Sequence, residues 1–197
     1  MRRLSRLLLV LAHPRELRLA VSGLAARMEG DSGFGGLDER ETDALAAWVR
    51  DSGAPAFVEI GTLFGFTARR IAATTRAKVI AVDDFSWNPF GLSPEHHEAF
   101  ARKVLSGSGV ELVKARSPEV FRALPPDVLR GAFVFLDGDH SYRAVREELA
   151  ALRAAGLRAV AGHDFGRPPF GVERAVREAF GAPDEVSGTC WIKRFGP

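Results

Sequence analysis

Ala56-Phe57-Val58-Glu59-Ile60-Gly61-Thr62-Leu63-Phe64-Gly65, followed after a helical stretch by Lys78-Val79-Ile80-Ala81-Val82-Asp83-Asp84, decides the fold of this chain. The first five residues, nearly all apolar and ended by a glycine, read as a strand buried on both faces. Helix is expected from about Gly65 to Arg76, and Lys78–Val82 is a second buried strand. A strand, a helix and a second strand of the same kind form a βαβ unit, whose strands lie parallel.

Working outward, the same alternation continues. On the N-terminal side, Asp38 and Glu41 stand at capping-box spacing before the apolar stripe Ala44, Leu45, Trp48 and Val49, which predicts a helix over 38–51. Gly53-Ala54-Pro55 stops it. On the C-terminal side an aromatic and Gly/Pro-containing loop, Phe85 to Leu92, leads to Ser93-Pro94, a helix start in N-cap and N1 order. Glu111–Lys114 is a third strand, and Ser117-Pro118 repeats the helix-start device. Ala132–Leu136 is the fourth and most apolar strand, followed by helix from about Ser141 to Ala155 and a weaker fifth strand, Arg158–Ala161. Val172–Phe180 reads as helix, and Val186–Phe195 as one or two terminal strands. The expected architecture is α/β, a doubly wound and mostly parallel sheet with helices on both faces, over residues 37–197.

The 197 residues, 46% hydrophobic and 26% charged, suit one domain with one sizeable core. Residues 1–36 read as an N-terminal helical extension. Its apolar run Leu7-Leu8-Leu9-Val10-Leu11-Ala12 is too short to span a bilayer, and His13-Pro14-Arg15 follows without a small-residue cleavage site. Such a helix needs cover, from the domain itself or from a second copy in a homodimer. The 27 basic and 25 acidic residues are interspersed along the chain, so there is no like-charge stripe for nucleic acid. Cys190 is the only cysteine, which leaves no disulfide framework or cysteine-based zinc site and fits a cytoplasmic protein.

Polar residues collect where the strands end: Glu59 to Gly61, Asp83-Asp84, Ser117, Asp137-Gly138-Asp139-His140 and His163-Asp164. In an open α/β sheet that edge binds ligands. The turn Gly61-Thr62-Leu63-Phe64-Gly65 has neither the closely spaced glycines of a dinucleotide fingerprint nor the Lys-Ser/Thr of a P-loop. It suits a ligand with a sugar and a base but no pyrophosphate. Asp83, about twenty residues beyond Gly61, is placed to accept hydrogen bonds from ribose hydroxyls. His140 is the candidate general base, because histidine titrates near neutral pH. It reads equally as a helix-start residue bonded to Asp137 or Asp139. His96 and His97 are adjacent on a predicted helix, about 100° apart, and read as surface residues.

The segment 57–84, the run Phe133-Val134-Phe135-Leu136-Asp137-Gly138-Asp139-His140-Ser141-Tyr142 and His163-Asp164 resemble the class I S-adenosylmethionine-dependent methyltransferases. Within them, the match is to the subgroup of macrocin-type sugar O-methyltransferases and cephalosporin-hydroxylase-like proteins. The resemblance implies that Glu59, Gly61 and Thr62 line the methionine end of the cofactor, with Gly65 and Thr67 behind them. Asp83 would hold the ribose, Asp84 and Phe85 would flank the adenine, and Ser117 would stand at its edge. Asp137 would belong both to the cofactor-binding residues and, with His140, to the catalytic ones. Asp137 and Asp164 would hold a Mg²⁺ that lowers the pKa of an acceptor hydroxyl. Relatives supply a further Asp, Asn or Glu beside the fifth-strand acid, whereas this chain has His163 and Phe165 there, so Asp139 or His163 would complete the ligand set. The implied reaction is O-methylation of a hydroxyl on a small molecule such as a sugar or natural product. Three alternatives share the same sheet: a nicotinamide oxidoreductase, a metal-dependent phosphoryl-transfer or hydrolytic enzyme, and a binding protein that has lost the reaction.

Overall fold

A computed structural model of the chain describes residues 36–87 and 93–195. The expected helix over residues 1–35, with His13, and loop residues 88–92 lie outside the described residues. Asp38 opens α1 (Glu39–Ser52) through the expected capping box. Its carboxylate accepts the Glu41 N–H at 2.7 Å, and its own N–H donates to Glu41 Oε2 at 3.1 Å. There follow β1 (Ala56–Ile60), α2 (Phe66–Thr74), β2 (Lys78–Asp83), α3 (Pro94–Leu105) and β3 (Glu111–Lys114). Next come α4 (Val120–Ala123), α5 (Pro126–Leu129), β4 (Phe133–Leu136), α6 (Tyr142–Leu152), β5 (Ala159–Gly162) and α7 (Val172–Phe180). A hairpin of β6 (Glu185–Ser187) and β7 (Cys190–Arg194) ends the described chain. Among the described residues no helix is long and apolar enough to cross a membrane.

The sheet order is β3-β2-β1-β4-β5-β7-β6. The first five strands of that order are parallel, and β7 pairs antiparallel with both β5 and β6. Alternate residues of each buried strand feed two cores. Val58, Ile80, Val134 and Val160 meet α6 and α7 on one face through Val145, Leu149 and Val176. Phe57, Val79, Phe133 and Ala159 meet α1 and α2 on the other through Leu45, Trp48 and Ile71. Phe57 packs on Phe133 in a tilted arrangement and on Phe135 in a stacked one, at centroid distances of 5.9 and 6.4 Å. Burial on both faces is what made these strands continuous apolar runs.

The helix expected at Ser117-Pro118 differs from the reading. It begins only at Val120, lasts one turn, and has no side-chain cap. The Leu124-Pro125-Pro126 sequence stops it, since proline supplies no N–H to continue the ladder, and α5 starts again at Pro126.

The strand order reverses between β1 and β4, and this is where the two strand ends touch. Gly61 leaves β1 with φ +85°, its N–H bonded to the Val82 carbonyl at 2.9 Å, and a Cβ on it would collide with the Asp137 carbonyl. The Asp137 N–H in turn donates to Ile60 O at 2.8 Å. Gly61→Ala is therefore expected to lower the unfolding free energy by more than about 1 kcal/mol. A denaturant midpoint that does not move would refute this packing argument.

Candidate active site at the carboxyl edge of the sheet

The turns after β1 and β2 are locked to each other by Asp83. Its Oδ2 accepts the Leu63 N–H and its Oδ1 the Phe85 N–H, both at 2.7 Å. Burial raises its pKa while these two N–H bonds oppose the rise. Leu63, Phe85 and Asp164 are the described non-glycine residues with positive φ, at 51°, 57° and 58°, and all three stand at strand ends of this edge. Backbone strain of this kind collects at binding sites, where surrounding structure enforces it.

Glu59 is buried within β1, and its Oε2 has no hydrogen-bond partner among the described residues. Burial, then the neighbouring Asp137 carboxylate, push its pKa well above the ordinary carboxylate range. Thr62 is buried, with its hydroxyl donating to Val82 O at 3.4 Å. Thr67 is buried in the first turn of α2. At Gly65 (φ +79°) a Cβ would meet the Leu105 side chain at 2.8 Å, so packing against α3 requires this glycine. Asp84 accepts the Ser86 N–H at 2.8 Å and faces Arg116 at 3.9 Å. The left-handed turn at Phe85 sends its ring inward, fully buried, onto His97 at a centroid distance of 5.1 Å. It therefore packs into the interior and presents no face open to a base. The Ser117 hydroxyl is buried beside Glu148 of α6 without a well-aligned hydrogen bond.

The acids after β4 and β5 meet cations supplied by the protein. His163 Nδ1 is 3.2 Å from Asp137 Oδ1 and 3.8 Å from Asp164 Oδ2, while its Nε2 is 3.4 Å from Glu41 Oε2. These are ion-pair contacts, not aligned hydrogen bonds. Burial opposes a charge on His163, but Asp137, Glu41 and Asp164 together outweigh it and raise the pKa to about 10. Glu41, despite the opposing effect of burial, is lowered to about 2 by His163 and by backbone donors of Thr189 and Asp38. Arg167 Nη1 donates to Asp164 Oδ1 at 3.1 Å, and His140 Nε2 is 3.5 Å from Asp164 Oδ2. The His140 ring, 22% exposed, packs on Phe170 at 5.2 Å.

Of the expected metal set, Asp137 and Asp164 meet at the His163 ring, and Asp139 does not join them. Asp139 is exposed and accepts the Ser141 N–H at 2.8 Å as a helix-start group, because the turn into α6 needs an acceptor there. The described metal-ligating atoms that converge within 4.8 Å belong to Glu41, His163 and Cys190, all buried. The Glu41 carboxylate there already accepts from the Thr189 N–H and hydroxyl at 2.8 and 3.0 Å, as well as from Asp38.

Four residues at or near this edge escaped the sequence reading. His97 is buried, not a surface residue as expected, and its Nε2 donates to Leu63 O at 3.0 Å. Its spacing to Phe100, Ala101 and Val104 was the available signal, since these form the buried stripe of α3. Glu41 was legible only as a helix cap. Arg167 and Glu148 lay in a loop and on a helix with no motif to mark them.

A methyltransferase-domain family model matches residues 58–157. No curated protein matches the sequence significantly. Among solved structures, an O-methyltransferase from Bacillus cereus in complex with SAH superposes with a TM-score of 0.60 at 14% identity, over 80% of this chain and 74% of that one. TomG from Streptomyces achromogenes, an O-methyltransferase involved in tomaymycin synthesis and bound to SAM, gives a TM-score of 0.57 at 19% identity, over 78% and 72%. At such identities the likeness is one of fold.

Glu148 lines, with Asp139, His140, His163 and Trp191, a cavity of about 10 Å³, room for about one water. Burial raises its pKa from 4.5 to about 7, against a smaller opposing effect of Ser117. Between those values the folded protein keeps a proton that the unfolded chain releases, so stability falls as pH rises from 4.5 to 7. The full penalty above that window is on the order of 3 kcal/mol. Glu148→Gln is expected to raise the melting temperature above neutral pH and to have little effect below 4.5. A pH-independent difference between the two proteins would refute the assignment.

Proposed function

The chain belongs to the methyltransferase-domain family whose model spans residues 58–157, and from that premise we propose an S-adenosylmethionine-dependent O-methyltransferase acting on a hydroxyl of a small molecule such as a sugar or natural product. The observation that carries this reading is the unpartnered Glu59 Oε2 at the strand-order switch. It stands on the same edge as the ribose-suited Asp83 and the pair His140–Asp164. A buried carboxyl oxygen without a partner costs free energy, and a ligand ammonium group relieves that cost.

When bound, S-adenosylmethionine supplies a sulfonium methyl: the acceptor oxygen bonds to that carbon, the C–S bond breaks, and its electron pair stays on the sulfur of S-adenosylhomocysteine. Glu59 and Asp137, with the backbone of Gly61 and Thr62, hold the amino-acid end. Asp83 uses its second lone pairs for the ribose hydroxyls, and Asp84 borders the base. Gly65, Thr67 and Phe85 support these groups from behind by packing, and Ser117 closes the far side. The acceptor hydroxyl loses its proton to His140. Asp164 at Nε2 fixes the tautomer, which leaves Nδ1 as the basic nitrogen and stabilises the imidazolium that forms. Phe170 against the His140 ring borders a groove of about 610 Å³ with Arg167, Pro168, Pro169 and Arg174, which suits a small acceptor. The apolar run at 7–12 supports a homodimer in the same reading.

Calorimetric titration with S-adenosylhomocysteine is expected to give micromolar binding, about −8 kcal/mol. Asp83→Ala should weaken that binding at least roughly tenfold, the loss of one or two charge-assisted hydrogen bonds. The absence of any binding would sink the methyltransferase reading. With a panel of hydroxyl acceptors, His140→Ala should lower turnover by about 10²–10⁴-fold at unchanged cofactor affinity. A variant as active as the parent would remove His140 from the chemistry.

A further inference from the structure

Two acids end β4 and β5, and the class resemblance gives them a divalent ion to hold. The donor set does not fit such an ion. A divalent oxygen site needs carboxylate oxygens free to converge on one point. Here Asp137 Oδ1 and Asp164 Oδ2 both face His163 Nδ1, at 3.2 and 3.8 Å. The other oxygen of Asp164 accepts from Arg167, and Asp139 is turned to the α6 start.

His163 itself has a carboxylate at each ring nitrogen, Asp137 at Nδ1 and Glu41 at Nε2. A neutral imidazole has one N–H, and its remaining lone pair would point at a carboxylate. Only the doubly protonated ring presents a proton to both. The side chain is 1% exposed, so water does not screen these contacts. Resting on the methyltransferase reading, we propose that the His163 imidazolium is a built-in cation: seated among Asp137, Asp164 and Glu41 and joined by Arg167, it takes the electrostatic place of a divalent ion, and proton removal from the acceptor falls to His140 without a metal.

The charges around this point support the assignment. Three carboxyl groups, Glu41, Asp137 and Asp164, face the two basic side chains His163 and Arg167, and burial still raises the Asp137 pKa. One oxygen of Asp164 lies 3.5 Å from Nε2 of His140, the ring that is to receive the proton. A divalent ion in the same place would repel both His163 and the protonated His140. His163 is thus a positioning residue. It neutralises and orients Asp137 and Asp164, and it does not meet the substrate.

The test is calorimetric titration of the chelator-treated full-length chain with Mg²⁺, Mn²⁺ and Zn²⁺, alone and with S-adenosylhomocysteine, alongside His163→Asn. The wild-type chain is expected to show no saturable ion binding and the same S-adenosylhomocysteine affinity with ion or with chelator. His163→Asn, which uncovers the acids, is expected to gain one Mg²⁺ or Mn²⁺ and a melting temperature that rises by several degrees with that ion. A histidine that merely packs would produce no such gain. Saturable one-to-one ion binding by the wild type, lost in Asp137→Asn, overturns the proposal, as does a folded His163→Asn that gains no ion. Should His163→Asn fail to fold, the wild-type titration decides by itself. Failure to bind S-adenosylhomocysteine, with no ion bound either, refutes the methyltransferase reading and with it the role of His140, while the ion titrations alone decide whether His163 occupies the place of a divalent ion.

Discussion

The backbone carbonyl of Asp137 lies where a side chain on residue 61 would begin, and this contact draws the ends of β1 and β4 together at the point where the strand order reverses. The sheet is buried on both faces, so polar groups have one place to go, the edge beyond the strands. Glu59 arrives there from β1, Asp83 from β2, Asp137 from β4 and Asp164 from β5. Their mutual closeness follows from register, since Glu59 pairs with Ala81 on one side and Phe135 on the other. One glycine therefore decides how near the acids stand to one another.

Acids packed that closely must be neutralised, and this protein uses two different devices. Among the described residues Glu59 and Glu148 have no cationic partner, and burial raises their pKa, which favours the protonated carboxyl. Asp137 and Asp164 face His163 and Arg167, although burial still raises the Asp137 pKa. The first device leaves a hydrogen-bonding group to be satisfied by a ligand. The second leaves an electrostatic field already arranged before any substrate arrives, which is the form of stabilisation that needs no reorganisation during a reaction.

The fold was legible in the sequence because each buried strand is a short apolar run with a polar or glycine end, and because Asp38, Ser93 and Ser141 cap helices where their spacing says they should. Ser117-Pro118 carried the same local signal and gave no cap, since the two prolines downstream left only one turn to be capped. At the site, the strand-end acids were legible one strand at a time. Their neutralising partners were not. Glu41 comes from α1, far from His163 in sequence, and its local role as a capping-box residue fully accounts for it until the fold brings β7 alongside. His97 was misplaced for a similar reason: adjacent histidines look alike in sequence, and only the helix phase sends one inward.

Glu41 also shows how the helix that precedes the sheet enters the chemistry. One oxygen accepts from Thr189 in the β6–β7 turn, and the other accepts the Asp38 N–H while facing His163. The capping box thus fixes the carboxylate that holds one side of the imidazole, and the imidazole fixes the acids that set the field at His140. Withdrawing α1 would remove the negative charge at Nε2 and leave His163 answerable to Asp137 and Asp164 alone. The charge at the carboxyl edge is in this way conditional on the N-terminal helix being docked, although no atom of α1 need touch a substrate.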